Sequence, residues 1–174
     1  RNGIMQPERS VTAVGHVDLK RYGGDWFEIC RLPLKWEDER ATDITATYSL
    51  AENGKIRVDN RCLNNEGKPV QSVGEAEPVD TTNAILTVSF LPELLRWIPF
   101  TKGDYWILKL AGDYSVALVG TPDRAHLWLL ARQPRLDVEI ERDYLEEAIA
   151  QGFDLSELIH PVQSGRKVED VSFK

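Results

Sequence analysis

Along positions 26–132 the chain repeats one pattern: a short run of strand-forming residues, then turn chemistry, then another run. The run 43–50 is the clearest, with Ile44, Ala46, Tyr48 and Leu50 alternating against Asp43, Thr45, Thr47 and Ser49. That period of two gives a strand one apolar face and one wet face. Ile56, Val58 and Cys62 oppose Arg57, Asp59 and Arg61 in the next run, and Leu86, Val88 and Phe90 oppose Thr87 and Ser89 further on. Asn53-Gly54, positions 64–67 and 78–83, Gly112-Asp113 and positions 120–123 divide the runs. Eight strands result, at 26–32, 43–50, 56–63, 70–76, 84–90, 105–110, 115–119 and 127–132.

A sheet with one dry face needs a cover. Past Pro134 the period becomes helical, with Ile140, Tyr144 and Ala148 beside Leu145 and Ile149, an N-cap at Asp137 and a stop at Gly152. One helix cannot cover eight strands, so the sheet must cover itself. Consecutive strands, short turns and a single late helix predict an all-β fold. A sandwich and a barrel both remain open, and these features favour the closed sheet: an eight-stranded antiparallel up-and-down β-barrel with one C-terminal α-helix, at about 137–151, packed outside. The runs 115–119 and 127–132 are apolar on both faces, as strands beneath that helix should be. With 174 residues the chain has the mass for one such domain. We place it at 17–161, between a polar arm at 1–16, broken by Gly3, Pro7 and Gly15, and a tail at 162–174.

A formal net charge of −7 argues against a nucleic-acid partner, because phosphate recognition concentrates Lys and Arg on one face. Lys20-Arg21 and Arg166-Lys167 read as solvated charges. No apolar run approaches the roughly 18 residues of a spanning helix. Cys30 and Cys62 fall on the first and third strands, which are not neighbours, so no disulfide is expected between them. His16, His126 and His160 are far apart with no ligand pair beside them, and neither a metal nor a cofactor is expected. The carboxylates Asp137, Glu139, Glu141, Asp143, Glu146 and Glu147 spread over the helix surface instead of converging in a hydrolytic cleft. The chain opens at Arg1, so any targeting segment would lie upstream.

Three motifs in order carry a resemblance. Gly24-Asp25-Trp26 enters the first strand, Asp113-Tyr114 sits in the turn between the sixth and seventh, and Leu129-Leu130-Ala131-Arg132 closes the eighth. This set resembles the lipocalin family, with Gly112 where Thr is usual. Trp26-Phe27-Glu28-Ile29-Cys30-Arg31, Thr45-Ala46-Thr47-Tyr48-Ser49-Leu50, Gly120-Thr121-Pro122-Asp123 and Leu127-Trp128-Leu129-Leu130 are similar to the bacterial outer-membrane lipocalins. Apolipoprotein D and plant temperature-induced lipocalins are relatives of that group. The likeness runs from about Val17 to about Pro161. It implies the same barrel and a structural role for Gly24, Trp26, Asp113, Tyr114 and Arg132. Across the Trp26 ring, the Arg132 guanidinium would close the narrow end through a cation–π contact of about 0.5–2 kcal/mol. The resemblance further implies a fatty acid or lysophospholipid as ligand and a cell-envelope setting, in the periplasm or at the outer membrane. Members of this type are often anchored through a lipidated N-terminal Cys, and no Cys precedes Val17 here.

With Trp26 inside, period two assigns the inner wall. Glu28 and Cys30 come from the first strand, Ile44, Ala46 and Tyr48 from the second, and Val58 and Asn60 from the third. Val88, Phe90, Val119 and Trp128 follow from later strands. On the sixth strand both alternating sets are open. If Tyr105 and Ile107 face inward, Lys109 does too, and it can answer Glu28 or a ligand headgroup. A greasy wall with small residues suits an acyl chain, each buried methylene of which contributes about 0.8 kcal/mol.

One apolar segment, 91–100, fits no strand. Its position between the fifth and sixth strands, opposite Trp26, makes Leu94, Leu95, Trp97, Ile98 and Phe100 candidates for the pocket mouth. They would serve as a lid or landing pad for lipid at a membrane surface, or as a homodimer contact. The leading reading is a non-enzymatic protein that binds and stores or transports a small hydrophobic ligand. Two others stand beside it: a lipid-modifying enzyme using a pocket cysteine, and an interaction module that dimerises through 91–100.

Overall fold

A computed structural model describes residues 10–34, 39–90 and 102–173. A short helix α1 (Leu19–Tyr22) precedes eight strands: β1 (Gly24–Arg31), β2 (Thr42–Leu50), β3 (Ile56–Leu63), β4 (Pro69–Pro78), β5 (Ile85–Phe90), β6 (Lys102–Leu110), β7 (Val116–Gly120) and β8 (Leu127–Ala131). Each pairs antiparallel with the next and β8 returns to β1, so of the two arrangements left open the closed barrel is the one formed. Closure removes the exposed edges that an eight-strand sheet would otherwise present. Helix α2 (Val138–Ala150) follows, with the Asp137 carboxylate accepting from the Glu139 amide at its start. A 3-10 turn, Asp170–Phe173, is the last of the described elements. Sequence periodicity gave no sign of α1, which is one turn long and held by Asp18 accepting from the amides of Lys20 and Arg21.

Register shifts occur in β1, β2 (between Thr42 and Thr45) and β6, and those in β1 and β6 move side chains expected inside to the outer face. In β1 the register with β8 shifts between Glu28 and Cys30, and in β6 the register with β7 shifts between Ile107 and Lys109. An extra residue in one strand reverses the alternation beyond it. Cys30, expected on the inner wall, therefore stands opposite Leu129 and packs on the outside of the barrel, while Arg31 takes the inward place opposite Trp128. Lys109 is turned out as well. It stands opposite Leu118, 3.5 Å from Asp143 and 5.1 Å from the Tyr144 ring centroid, and so does not answer Glu28.

The sheet carries apolar clusters on both faces. The inner one gathers Trp26, Ala46, Tyr48, Val58, Val88, Ile107 and Val119 among others. The outer one joins Ile29, Cys30, Leu108, Leu118 and Leu129 to Tyr144 and Ala148 of α2 and to Phe153. Helix α2 thus covers the strands that are apolar on both faces. Past α2 the chain returns to the barrel: Arg31 and Ile159 exchange both backbone hydrogen bonds, at 3.0 and 2.8 Å. Residues 162–173 are bonded to β1–β3. The Gln163 side-chain amide donates to the carbonyls of Glu28 and Ile44, Arg61 donates to the Val168 carbonyl, and Lys167 lies 2.8 Å from Asp25. The expected mouth residues Leu94, Leu95, Trp97, Ile98 and Phe100 lie outside the described residues.

Candidate functional site: the barrel interior

The closed end is built around Trp26, which is fully buried and whose indole N–H donates to the Tyr22 carbonyl at 2.8 Å. The Arg132 guanidinium lies over its ring, 3.7 Å from the centroid. From there it donates to the carbonyls of Tyr114 (3.0 Å), Asp25 (3.0 Å) and Arg21 (2.8 Å), tying three chain segments together. Gly24 sits at φ +95°, and a β-carbon there would meet Arg132 Nη1 at 3.4 Å. Tyr114, at φ 61°, accepts the Asp18 amide on its hydroxyl, and the Asp113 carboxylate accepts from the Ser115 amide and hydroxyl. These contacts close this end of the barrel.

Directly above lies a row of phenols. The hydroxyls of Tyr22 and Tyr105 are 2.7 Å apart, and Tyr105 donates to Tyr48 at 2.8 Å. Burial pushes all three hydroxyls well above their ordinary pKa, so they stay neutral and act only as hydrogen-bonding groups. Beside them is a cavity lined by Tyr48, Val58, Val88, Tyr105 and Ile107 from the expected wall, with Leu19, Tyr22, Ser49, Leu50, Ile56, Ala76 and Leu86. It spans about 400 Å³ including its solvent-facing part, of which only about 20 Å³ is free to the centre of a water molecule. That much room suits a water or two.

Higher in the barrel Glu28 is buried and its carboxylate accepts from Arg31, itself fully buried, at 3.0 Å. Burying both charges is tolerable because each offsets the desolvation of the other. Ala46, Val88, Val119 and, less deeply, Phe90 and Trp128 join the inner cluster, and Asn60 stands opposite Ala46. Gly74 opposite Phe90 has no room for a side chain: a β-carbon would lie 2.9 Å from the Phe90 ring. Ile44 is buried but belongs to neither cluster.

Strict alternation missed Tyr22, Leu19 and Arg31. The first two lie on α1, ahead of any periodic segment, and Arg31 is brought in by the bulge. The outward turn of Cys30 places it beside Glu141 and His160, within 4.8 Å of one another by their ligating atoms. Burial, with the fields of Glu141 and Glu28 added, pushes the Cys30 thiol far up, which is the wrong direction for a nucleophile. Among the described residues, Cys30 and Cys62 are not joined in a disulfide.

Residues 17–163 match the family described as lipocalin-like domain. Outer membrane lipoprotein Blc of Escherichia coli (strain K12) is 39% identical over 161 residues, covering 91% of this chain and 86% of that protein. Temperature-induced lipocalin-1 of Arabidopsis thaliana is 33% identical over 162 residues, covering 92% and 87%. Insecticyanin from the tobacco hornworm Manduca sexta shares the fold with a TM-score of 0.67 at 19% identity, covering 95% and 88%. A closed eight-strand barrel, a Trp–Arg plug and these matches together make the chain a member of the lipocalin family, whose members bind small hydrophobic ligands and are generally not enzymes.

Proposed function

We propose that this protein binds one fatty acid or lysophospholipid inside its barrel and stores or carries it in lipid maintenance of the cell envelope, in the periplasm or at the outer membrane. The observation that carries the reading is the interior itself. Its wall is apolar, includes the small residues Ala46, Ala76 and Ala117, and opens onto a cavity with a row of neutral phenols. Such a wall takes an acyl chain at about 0.8 kcal/mol per methylene, while hydroxyls and the Glu28–Arg31 pair are available to the polar end. The E. coli relative is named an outer membrane lipoprotein, which supports the location. In this reading Leu94, Leu95, Trp97, Ile98 and Phe100 form the lid or landing pad, and a second copy meets the same surface where the protein dimerises. Cys30 takes no part, because it packs on the outer face. Native mass spectrometry of protein purified from cells is expected to show one co-purified lipid per chain. A chain that arrives empty and also fails to take up a fluorescent fatty acid would refute the proposal.

A further inference from the structure

Outside the barrel, three donors of different chemistry converge from three separate segments. Cys30 comes from β1, Glu141 from the first turn of α2, and His160 from the returning chain. Their ligating atoms lie within 4.8 Å of one another, and His160 Nε2 is 2.8 Å from the Glu141 carboxylate. Their meeting is fixed by the backbone. Arg31 and Ile159 form an antiparallel bridge with both hydrogen bonds made, so Cys30 and His160 are the next facing pair, where β-carbons approach to about 4.5–5.5 Å. The β1 bulge supplies the remaining condition by pointing Cys30 outward. Without it the thiol would lie inside the barrel.

We propose that Cys30 Sγ, His160 Nε2 and the Glu141 carboxylate bind a divalent cation of the zinc class. A thiolate, an imidazole and a carboxylate are the ligand types zinc accepts, and three protein ligands leave a fourth tetrahedral position for water. Donors around tetrahedral zinc lie about 3.5 Å apart, so closing on the ion takes a shift of about an ångström. On binding, the Cys30 thiol gives its proton to solvent and the sulfur lone pair forms the metal bond. The thiolate and carboxylate together then carry the two negative charges that the dication neutralises. The mixed donor set separates this place from an ordinary surface ion pair: His160 is exposed and Glu141 partly so, but Cys30 beneath them is 1% exposed. Bound metal would staple α2 and the returning chain to β1, on the opposite side of the sheet from the lipid cavity.

The test uses the whole chain with zinc(II) alone by calorimetry, and with cobalt(II) by absorption. Expected are one ion per chain and a thiolate-to-cobalt charge-transfer band. The band should survive Cys62→Ser and vanish in Cys30→Ala. His160→Gln and Glu141→Gln, which alter side chains at the surface and leave the fold intact, should each weaken zinc at least tenfold. Saturating zinc should raise the melting temperature of the unaltered protein and of Cys62→Ser, but not of Cys30→Ala. The proposal is overturned if no stoichiometric site appears, if the band persists without Cys30, or if His160→Gln leaves zinc affinity unchanged.

Discussion

The two faces of the barrel wall are both apolar, but they are packed for different ends. Outside, Leu118, Leu129 and Ala148 are completely buried under α2, and branched side chains interlock along β7 and β8. Inside, alanines and phenols share the wall with valines, and a cavity remains beside Tyr48 and Tyr105. Fully buried side chains occur on both faces, Trp26, Ile107 and Val119 inside among them, but the cavity beside Tyr48 and Tyr105 lies on the inner one, so the interior is the looser side there. A lipid-binding barrel needs that division, since whatever leaves room for a guest cannot also be the best-packed part of the fold.

Truncations on the two faces should differ most. Leu129→Ala on the outer face should cost about 3–4 kcal/mol in chemical denaturation, with no collapse available beneath α2. Val58→Ala on the cavity wall should cost about 1–2 kcal/mol, since its neighbours already border free space. Equal losses per methylene would break the contrast. Next is the inner ion pair: Glu28→Gln, which removes the charge facing buried Arg31, should cost about 3 kcal/mol by the same assay. Arg132→Ala at the plug should cost about 2–3 kcal/mol through the lost cation–π contact and backbone bonds, and Arg132→Lys should restore only part of it.

The smallest effect concerns acid. Burial alone would raise the pKa of Asp59 and Asp25, but hydrogen bonds from Arg61 and Gln71 to the first, and from Lys167 and Thr47 to the second, hold both below the ordinary value. A depressed folded-state pKa contributes stability above the unfolded value of about 4 and loses it as pH falls through the folded one. Residues 162–173, held by Arg61 and Lys167, should accordingly show smaller amide-exchange protection factors, each taken against the intrinsic rate at that pH, at about pH 3 than at pH 6, while the β7–β8 amides stay protected.

The strands were legible in the sequence because one face of each had to be dry, and alternation reports that directly, whereas closure into a barrel rested on the short turns and on the resemblance carried by the three motifs. Ala46, Tyr48, Val58, Val88 and Val119 were placed by parity alone and join the inner cluster. Parity fails where a strand gains a residue: Cys30 and Lys109 face outward because of bulges with no compositional mark, and Arg31 faces inward for the same reason. Tyr22 was invisible for a different cause, since a one-turn helix has too few residues to show a period. Convergence of Cys30, Glu141 and His160 was equally hidden, because it depends on a backbone bridge between residues more than a hundred positions apart.

The most direct test of the interior as a lipid site is titration of a fluorescent fatty acid into the unaltered protein and into Ala76→Leu, which extends a branched side chain into the cavity. Overpacking of this kind costs about 1–3 kcal/mol, so the variant's fold is checked by circular dichroism alongside. Saturable binding of one equivalent, weakened at least tenfold in a folded Ala76→Leu, is the predicted result. Equal affinity in the two proteins, or no binding to either, would contradict it.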